Sequence, residues 1–153
     1  MKLAEALQER ADLNTRIEQL EARLNRSCMT QEGEAPLESP EALMKELDGC
    51  IERLEILMTA INRTNAETLI EGESITALIA RKDCLRLKLS AYRSLAANAG
   101  DVHRRARGSE IKILPTVDVP ALQKTIDGMS MRLRKLDNKL QAANWTVELR
   151  IEN

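Results

Sequence analysis

The side chains best suited to chemistry stand in one run, His103-Arg104-Arg105-Ala106-Arg107. Guanidinium forks hold phosphate oxygens two at a time, so this cluster on a loop would suit a small anion or a nucleic-acid backbone. The candidate anion ligands are His103, Arg104, Arg105 and Arg107. The competing reading is a solvated loop, or arginines pairing with acids of a neighbouring subunit. Two features weigh against nucleic acid. No aromatic ring is interleaved for base stacking. The 23 basic and 24 acidic residues leave a net charge of -1 and a pI near 6.0, so no general field draws in a polyanion or an anionic membrane.

Catalytic chemistry finds little footing. His103 is the one histidine, which rules out His-rich zinc and di-iron sites within a single subunit. Cys28, Cys50 and Cys84 are odd in number and widely spaced, so they form neither a disulfide framework nor a metal knuckle and are expected as reduced thiols. With six glycines in all, no phosphate-cradling loop can be written. Carboxylates are abundant, but no histidine, thiol or hydroxyl is spaced beside them as general acid-base or nucleophilic work requires. The expectation is a non-enzyme with no metal and no cofactor.

Two further groups bear on binding. Arg10 and Lys82 each replace an apolar residue on a helical seam; inward cations could hold an anion, but such residues more often snorkel or pair with carboxylates. A polar row, Gln123, Asp127, Ser130, Arg134, Asp137, Gln141 and Asn144, steps by four and three beside an apolar seam. Its short, orienting side chains suit hydrogen bonds across an interface, with a solvated face as the alternative at even weight. Trp145 closes that row and reads as a helix anchor or a subunit contact.

The elements carrying these residues are long helices. Val119, Leu122, Ile126, Met129, Leu133, Leu136, Leu140 and Ala143 recur in alternating three- and four-residue steps, the stripe of a coiled-coil-like seam. Comparable stripes place helices at about residues 2–27, 40–65, 75–98 and 119–144, with Ser39, Ser74 and Asp118 as N-caps and Pro40 at the first helical position. The second helix adds a row, Met44, Ile51 and Met58, which predicts more than one neighbour. Asn62-Arg63-Thr64-Asn65 reads as a turn after it. Phe is absent and the Phe, Tyr and Trp class is represented only by Tyr92 and Trp145, so aliphatic side chains must fill the core. Short strands are expected at residues 68–71, 110–114 and 146–151. The fold class is all-α, an antiparallel long-helix bundle with short accessory strands, forming a single domain over residues 1–153.

A lone strand at 110–114 would leave backbone groups unpaired. Self-association is therefore expected there and along the polar row, with Ile111, Ile113, Gln123, Asp127, Arg134, Asp137, Gln141, Asn144 and Trp145 as interface candidates. The early charges of Met1 to Arg10 are unlike a signal peptide, and no apolar run reaches membrane-spanning length. A cytoplasmic homo-oligomer without membrane contact is the expectation.

At Glu110-Ile111-Lys112, Thr116-Val117-Asp118-Val119, Leu122-Gln123-Lys124, Leu136-Asp137 and Gln141-Ala142-Ala143-Asn144-Trp145, and again at Asn62-Arg63-Thr64-Asn65 and near Asp83, the chain resembles the septicolysin-like family of small bacterial proteins. That resemblance implies a domain of unknown function. The family name implies a pore-forming toxin as a remote alternative, against which stands the lack of an amphipathic stretch suited to a bilayer. The residues themselves point to a structural or protein-interaction module, with anion or nucleic-acid binding through Arg104 to Arg107 as the rival.

Overall fold

The computed structural model describes residues 1–101 and 112–151. Four long helices account for most of these residues, so the all-α class expected from the seams is what the structure has. The chain divides into two compact units, one of Met1–Ile70 with the chain from Ala143 onward, the other of Glu71–Ala142.

The first unit is built on α1 (Leu3–Ser27) and α2 (Pro40–Glu67). Helix α1 starts where the Lys2 amide donates to the Glu5 carboxylate at 2.6 Å, satisfying one of the amides a helix start leaves without a partner. Between the helices Gly33 takes φ 86, a left-handed value that glycine adopts without a steric penalty. The Ser39 hydroxyl then accepts from the Ala42 amide at 3.3 Å, with Pro40 next in line. The inward seam residues of the two helices are buried: Leu3, Ala6 and Leu20 on α1, and Leu43, Leu57 and Ile61 on α2.

Helix α2 does not stop at Asn62-Arg63-Thr64-Asn65 but runs on to Glu67. Thr64 is fully buried; its hydroxyl donates to the Ala60 carbonyl at 2.7 Å and accepts from the Arg150 amide at 2.9 Å. A hydroxyl satisfied in this way removes the pull toward a turn that polar residues otherwise exert. The row Met44, Ile51 and Met58 also departs from expectation, since no described residue covers it fully and each stays about half exposed.

The strand-like tail from Val147 onward pairs with the start of the chain. The Leu3 amide donates to the Val147 carbonyl at 3.0 Å and the Leu149 amide to the Met1 carbonyl at 2.9 Å, a single antiparallel bridge centred on Lys2 and Glu148. Val147 and Leu149 turn inward while Glu148 and Arg150 stay exposed, the period-two alternation read from the sequence. The Lys2 ammonium adds a 2.6 Å ion pair with Glu148.

The hairpin expected as one strand at 68–71 is two, β1 (Leu69–Ile70) and β2 (Glu73–Ser74). Glu71 at φ 54 and Gly72 at φ 88 form its turn. Two successive left-handed residues make the tight connection whose twist matches that of paired strands. The second unit continues into α3 (Ile75–Gly100), capped by the Ser74 hydroxyl accepting from the Ala77 amide at 3.1 Å. Helix α4 (Val119–Thr146) begins where the Asp118 carboxylate accepts from the Ala121 amide at 3.0 Å. Leu89, Ile126 and Met129 form the buried centre of this unit, with Leu85, Tyr92, Ala96, Leu122 and Leu133 packed around them.

The strand expected at 110–114 is not found over its described part. Residues 112–115 have no regular structure, and Ile113 and Leu114 are exposed. No strand among the described residues lies alongside to complete a ladder. Ile111 lies outside the described residues.

Candidate functional site

The basic run His103, Arg104, Arg105 and Arg107 lies outside the described residues. Ile113 is exposed and takes part in no described strand. The polar row of α4 is the sequence-predicted group that the structure brings into one place. Gln123, Asp127 and Ser130 line a depression of about 440 Å³ with Arg93, Ala96 and Ala97 of α3. One turn further on, Ser130, Arg134 and Asp137 line a groove of about 280 Å³ with Arg86, Leu89 and Arg93. Arg93 and Ser130 belong to both, so the two depressions are continuous. Gln141 is exposed and Asn144 half buried, and neither lines this groove. Trp145, in the last turn of α4, is 66% exposed.

The polar contacts inside the groove use up its acids. Lys82, the cation on the α3 seam, pairs with Asp137, which settles Lys82 as a structural partner of α4. Its hydrogen bond and charge hold the Asp137 carboxyl below the usual carboxylate range, with a smaller push from Arg86. Asp127 accepts from the Gln123 amide at 3.0 Å. Arg93 donates to the Ser130 hydroxyl at 3.2 Å, and that hydroxyl donates to the Ile126 carbonyl at 2.8 Å. Arg86 and Arg134 take part in no described hydrogen bond or ion pair. Arg10 is half buried in α1, within the first unit.

In the first unit the structure shows a set of residues the sequence reading passed over. Arg53 donates to Glu9 from Nε at 2.6 Å and from Nη2 at 2.9 Å. Arg16 pairs with Glu46, its Nε at 2.9 Å, and Arg23 with Glu38, its Nε at 3.0 Å. Going up α1 by seven residues moves the partner down α2 by seven and then by eight, so the two helices run antiparallel. Two of the guanidinium groups hold their carboxyl partners down: Glu9 through Arg53 and Glu38 through Arg23 lie below the usual range, the hydrogen bond being the larger cause in both. Glu9, Arg16 and Arg23 repeat at heptad spacing, the one signal from which the ladder was readable.

A second depression, about 240 Å³, lies in this unit between α2 and the C-terminal segment, lined by Ile56, Thr59, Ala60, Arg63, Arg150 and Ile151 together with Glu55. Arg63 and Arg150 both reach Glu67, at 3.1 and 2.6 Å, and together hold its carboxyl below the usual range. Among the described residues no helix is long and apolar enough to cross a membrane.

A crystal structure described as a functionally unknown conserved protein from Corynebacterium diphtheriae is similar to this chain, with 34% identity and a TM-score of 0.88 over 98% of this chain and 99% of that one. No protein of curated function matches the chain. The resemblance to the septicolysin-like family is overturned by the family that does match residues 10–149. The residues that suggested it include the N-cap Asp118 and the seam positions Val119, Leu122 and Leu136, features that any long helix packed on a neighbour requires. With the resemblance goes the toxin activity its name implied. The match over residues 10–149 places the chain in the family of unknown function DUF6847.

Proposed function

We propose that this protein is a non-enzymatic interaction module that self-associates through α2. The carrying observation is the row Met44, Ile51 and Met58, one heptad apart on α2 and left 48%, 47% and 45% exposed. Apolar residues in a heptad register are an edge made for another helix, and here that edge has no full cover among the described residues. The row is symmetric about Ile51. A twofold antiparallel contact would set Ile51 on its own copy and Met44 on Met58 of the other chain, the self-complementary arrangement a dimer needs.

The carboxylates support the non-enzymatic half. Glu9, Glu38, Glu67, Asp137 and Glu148 are all displaced downward, each by a cation it pairs with. A general acid working near neutral pH needs the opposite displacement. These groups are built for ion pairing.

Charges beside the row make the reading testable. Glu41, Asp48, Glu52 and Glu55 flank it against Lys45 alone, and a twofold contact brings Asp48 toward Glu55 of the copy. Homotypic association must therefore strengthen when salt screens that repulsion, whereas docking of a basic partner must weaken. Sedimentation velocity at about 0.05 and 0.5 M salt reads the difference directly. Growth of the oligomer with salt supports self-association through α2. A species of 17.2 kDa at both salts and all concentrations removes it.

A further inference from the structure

We propose that the groove between α3 and α4, floored by Leu89 and Leu133 and rimmed by Arg86, Arg93 and Arg134, binds a small organic phosphate through its phosphoryl head. Three exposed arginines converge on this one groove. Arg16, Arg23, Arg53, Arg63, Arg81 and Arg150 each meet a glutamate, while Arg10, Arg26 and Arg132 stand without such a pair among the described residues but apart from this groove. Arg86, Arg93 and Arg134 line one groove of about 280 Å³ and form no ion pair with a carboxylate among the described residues, although Asp137, which feels the charge of Arg86, lies in the same lining. Lys82 has taken that aspartate. The groove therefore carries three guanidinium charges facing one acid already neutralised, in a protein whose net charge is -1.

The geometry suits a tetrahedral oxyanion. Two of the arginines come from α3 one heptad apart and the third from α4, so their forks approach from two sides. A phosphoryl group, with oxygens pointing in several directions, can accept from all of them, while a planar carboxylate fills one fork. Only Arg93 has its direction set beforehand, through its hydrogen bond to Ser130. Leu89 and Leu133 give the floor an apolar part beside the polar Ser130 and Asp137.

The adjoining depression defines the rest of the ligand. It opens past Arg93 and Ser130, is lined by Ala96, Ala97, Val119 and Ile126, and ends at Asp127 and Gln123. Asp127 repels a second phosphate there. The body of the ligand is thus uncharged and partly apolar, and a polyphosphate is excluded by charge. No aromatic ring lines either depression, so a base-stacked polynucleotide has no platform.

Titration calorimetry on the full chain with inorganic phosphate and with phenyl phosphate tests this. Phenyl phosphate should bind more tightly, because its ring adds contact with the apolar depression. Arg86→Gln and Arg134→Gln should each weaken it at least about tenfold through a lost charge-assisted hydrogen bond. Both side chains are exposed and make no described contact with a carboxylate, so helical circular dichroism should be unchanged. Arg132→Gln removes the same charge from α4 outside the groove and should change binding less than about twofold. The proposal is overturned if neither probe binds the unaltered protein, or if Arg132→Gln weakens binding as much as the groove variants do. It is also overturned if a single-stranded RNA binds more tightly than phenyl phosphate and loses affinity in Arg86→Gln and Arg134→Gln, since the groove would then be part of a polynucleotide path.

Discussion

Arg53 of α2 clasps Glu9 of α1 with both its Nε and Nη2 groups, and one heptad along the helices the polarity reverses, Arg16 of α1 reaching Glu46 of α2. The reversal fixes register. Sliding one helix by a heptad sets Glu9 against Glu46 in one direction and Arg16 against Arg53 in the other. Apolar seams alone tolerate such slips, because a heptad shift puts apolar on apolar again; the charges beside them do not.

Reversing one charge should therefore destabilise the first unit and reversing both should restore it. Arg53→Glu places two carboxylates together and should cost about 0.5 to 1 kcal/mol, the range of partly exposed pairs. Glu9→Arg with Arg53→Glu should recover most of that loss, read as urea midpoints in a double-mutant cycle. Equal losses in the single and double variants would mean the pair does not couple.

Burial separates neighbours on α2. Leu57 is 1% exposed and Met58 45%. Leu57→Ala should cost about 2 to 5 kcal/mol through lost transfer energy and a residual cavity, while Met58→Ala should cost under about 1 kcal/mol in the isolated chain. In the second unit Ile126→Ala should follow the first pattern. Leu133 and Leu136 are half buried, so their alanine variants should fall between. Thermal unfolding of the five variants gives the order.

Thr64 holds the C-terminal segment by one hydroxyl. Thr64→Val keeps the shape but removes the acceptor of the Arg150 amide, and an amide left without its partner costs about 1 to 3 kcal/mol where water cannot replace it. Hydrogen exchange should quicken at Arg150 and leave Leu89, in the other unit, unchanged. Uniform quickening would indicate a global loss instead.

The pH response has a definite sign. Glu9, Glu38, Glu67, Asp137 and Glu148 titrate lower in the folded chain than their ordinary values of 4.5 for glutamate and 3.8 for aspartate. Between the two values the unfolded chain binds more protons, so their stabilisation is complete above the unfolded pKa and is lost as pH falls through the folded one. The thermal midpoint should be level from about pH 8 to 5 and drop below about pH 4, less steeply in high salt. A midpoint rising toward acid would contradict the ion-pair account.

Much of the fold was legible because burial imposes a period. Ile126, Met129, Leu140 and Ala143 of the α4 stripe are all buried, and Ser39, Ser74 and Asp118 cap the helices they precede. What stayed hidden depends on chain segments far apart. Thr64 reads as a turn residue until the Arg150 amide, 86 positions on, is seen to occupy its hydroxyl. Glu71 hides the hairpin because its φ of 54 is one that glycine would ordinarily supply. Gln123, Asp127, Arg134 and Asp137 were singled out on α4, but Arg86 and Arg93 across from them were not. Their convergence is set by how α3 and α4 pack, and neither helix states that register alone. The strand expected at 110–114 is absent over its described part for a related reason. Period-two alternation makes a strand only when a partner strand is present, and the exposed Ile113 and Leu114 have none among the described residues.

Self-association through α2 is the central claim, and the mass of the protein in solution beside that of its Ile51→Glu variant tests it most directly. Ile51 is 47% exposed, so a glutamate there is tolerated by the single chain but places two charges at the centre of a twofold contact. Light scattering should give an oligomer of the 17.2 kDa chain for the unaltered protein and a monomer of unchanged helical content for Ile51→Glu. A monomer in both, or an oligomer that Ile51→Glu leaves intact, would contradict the account.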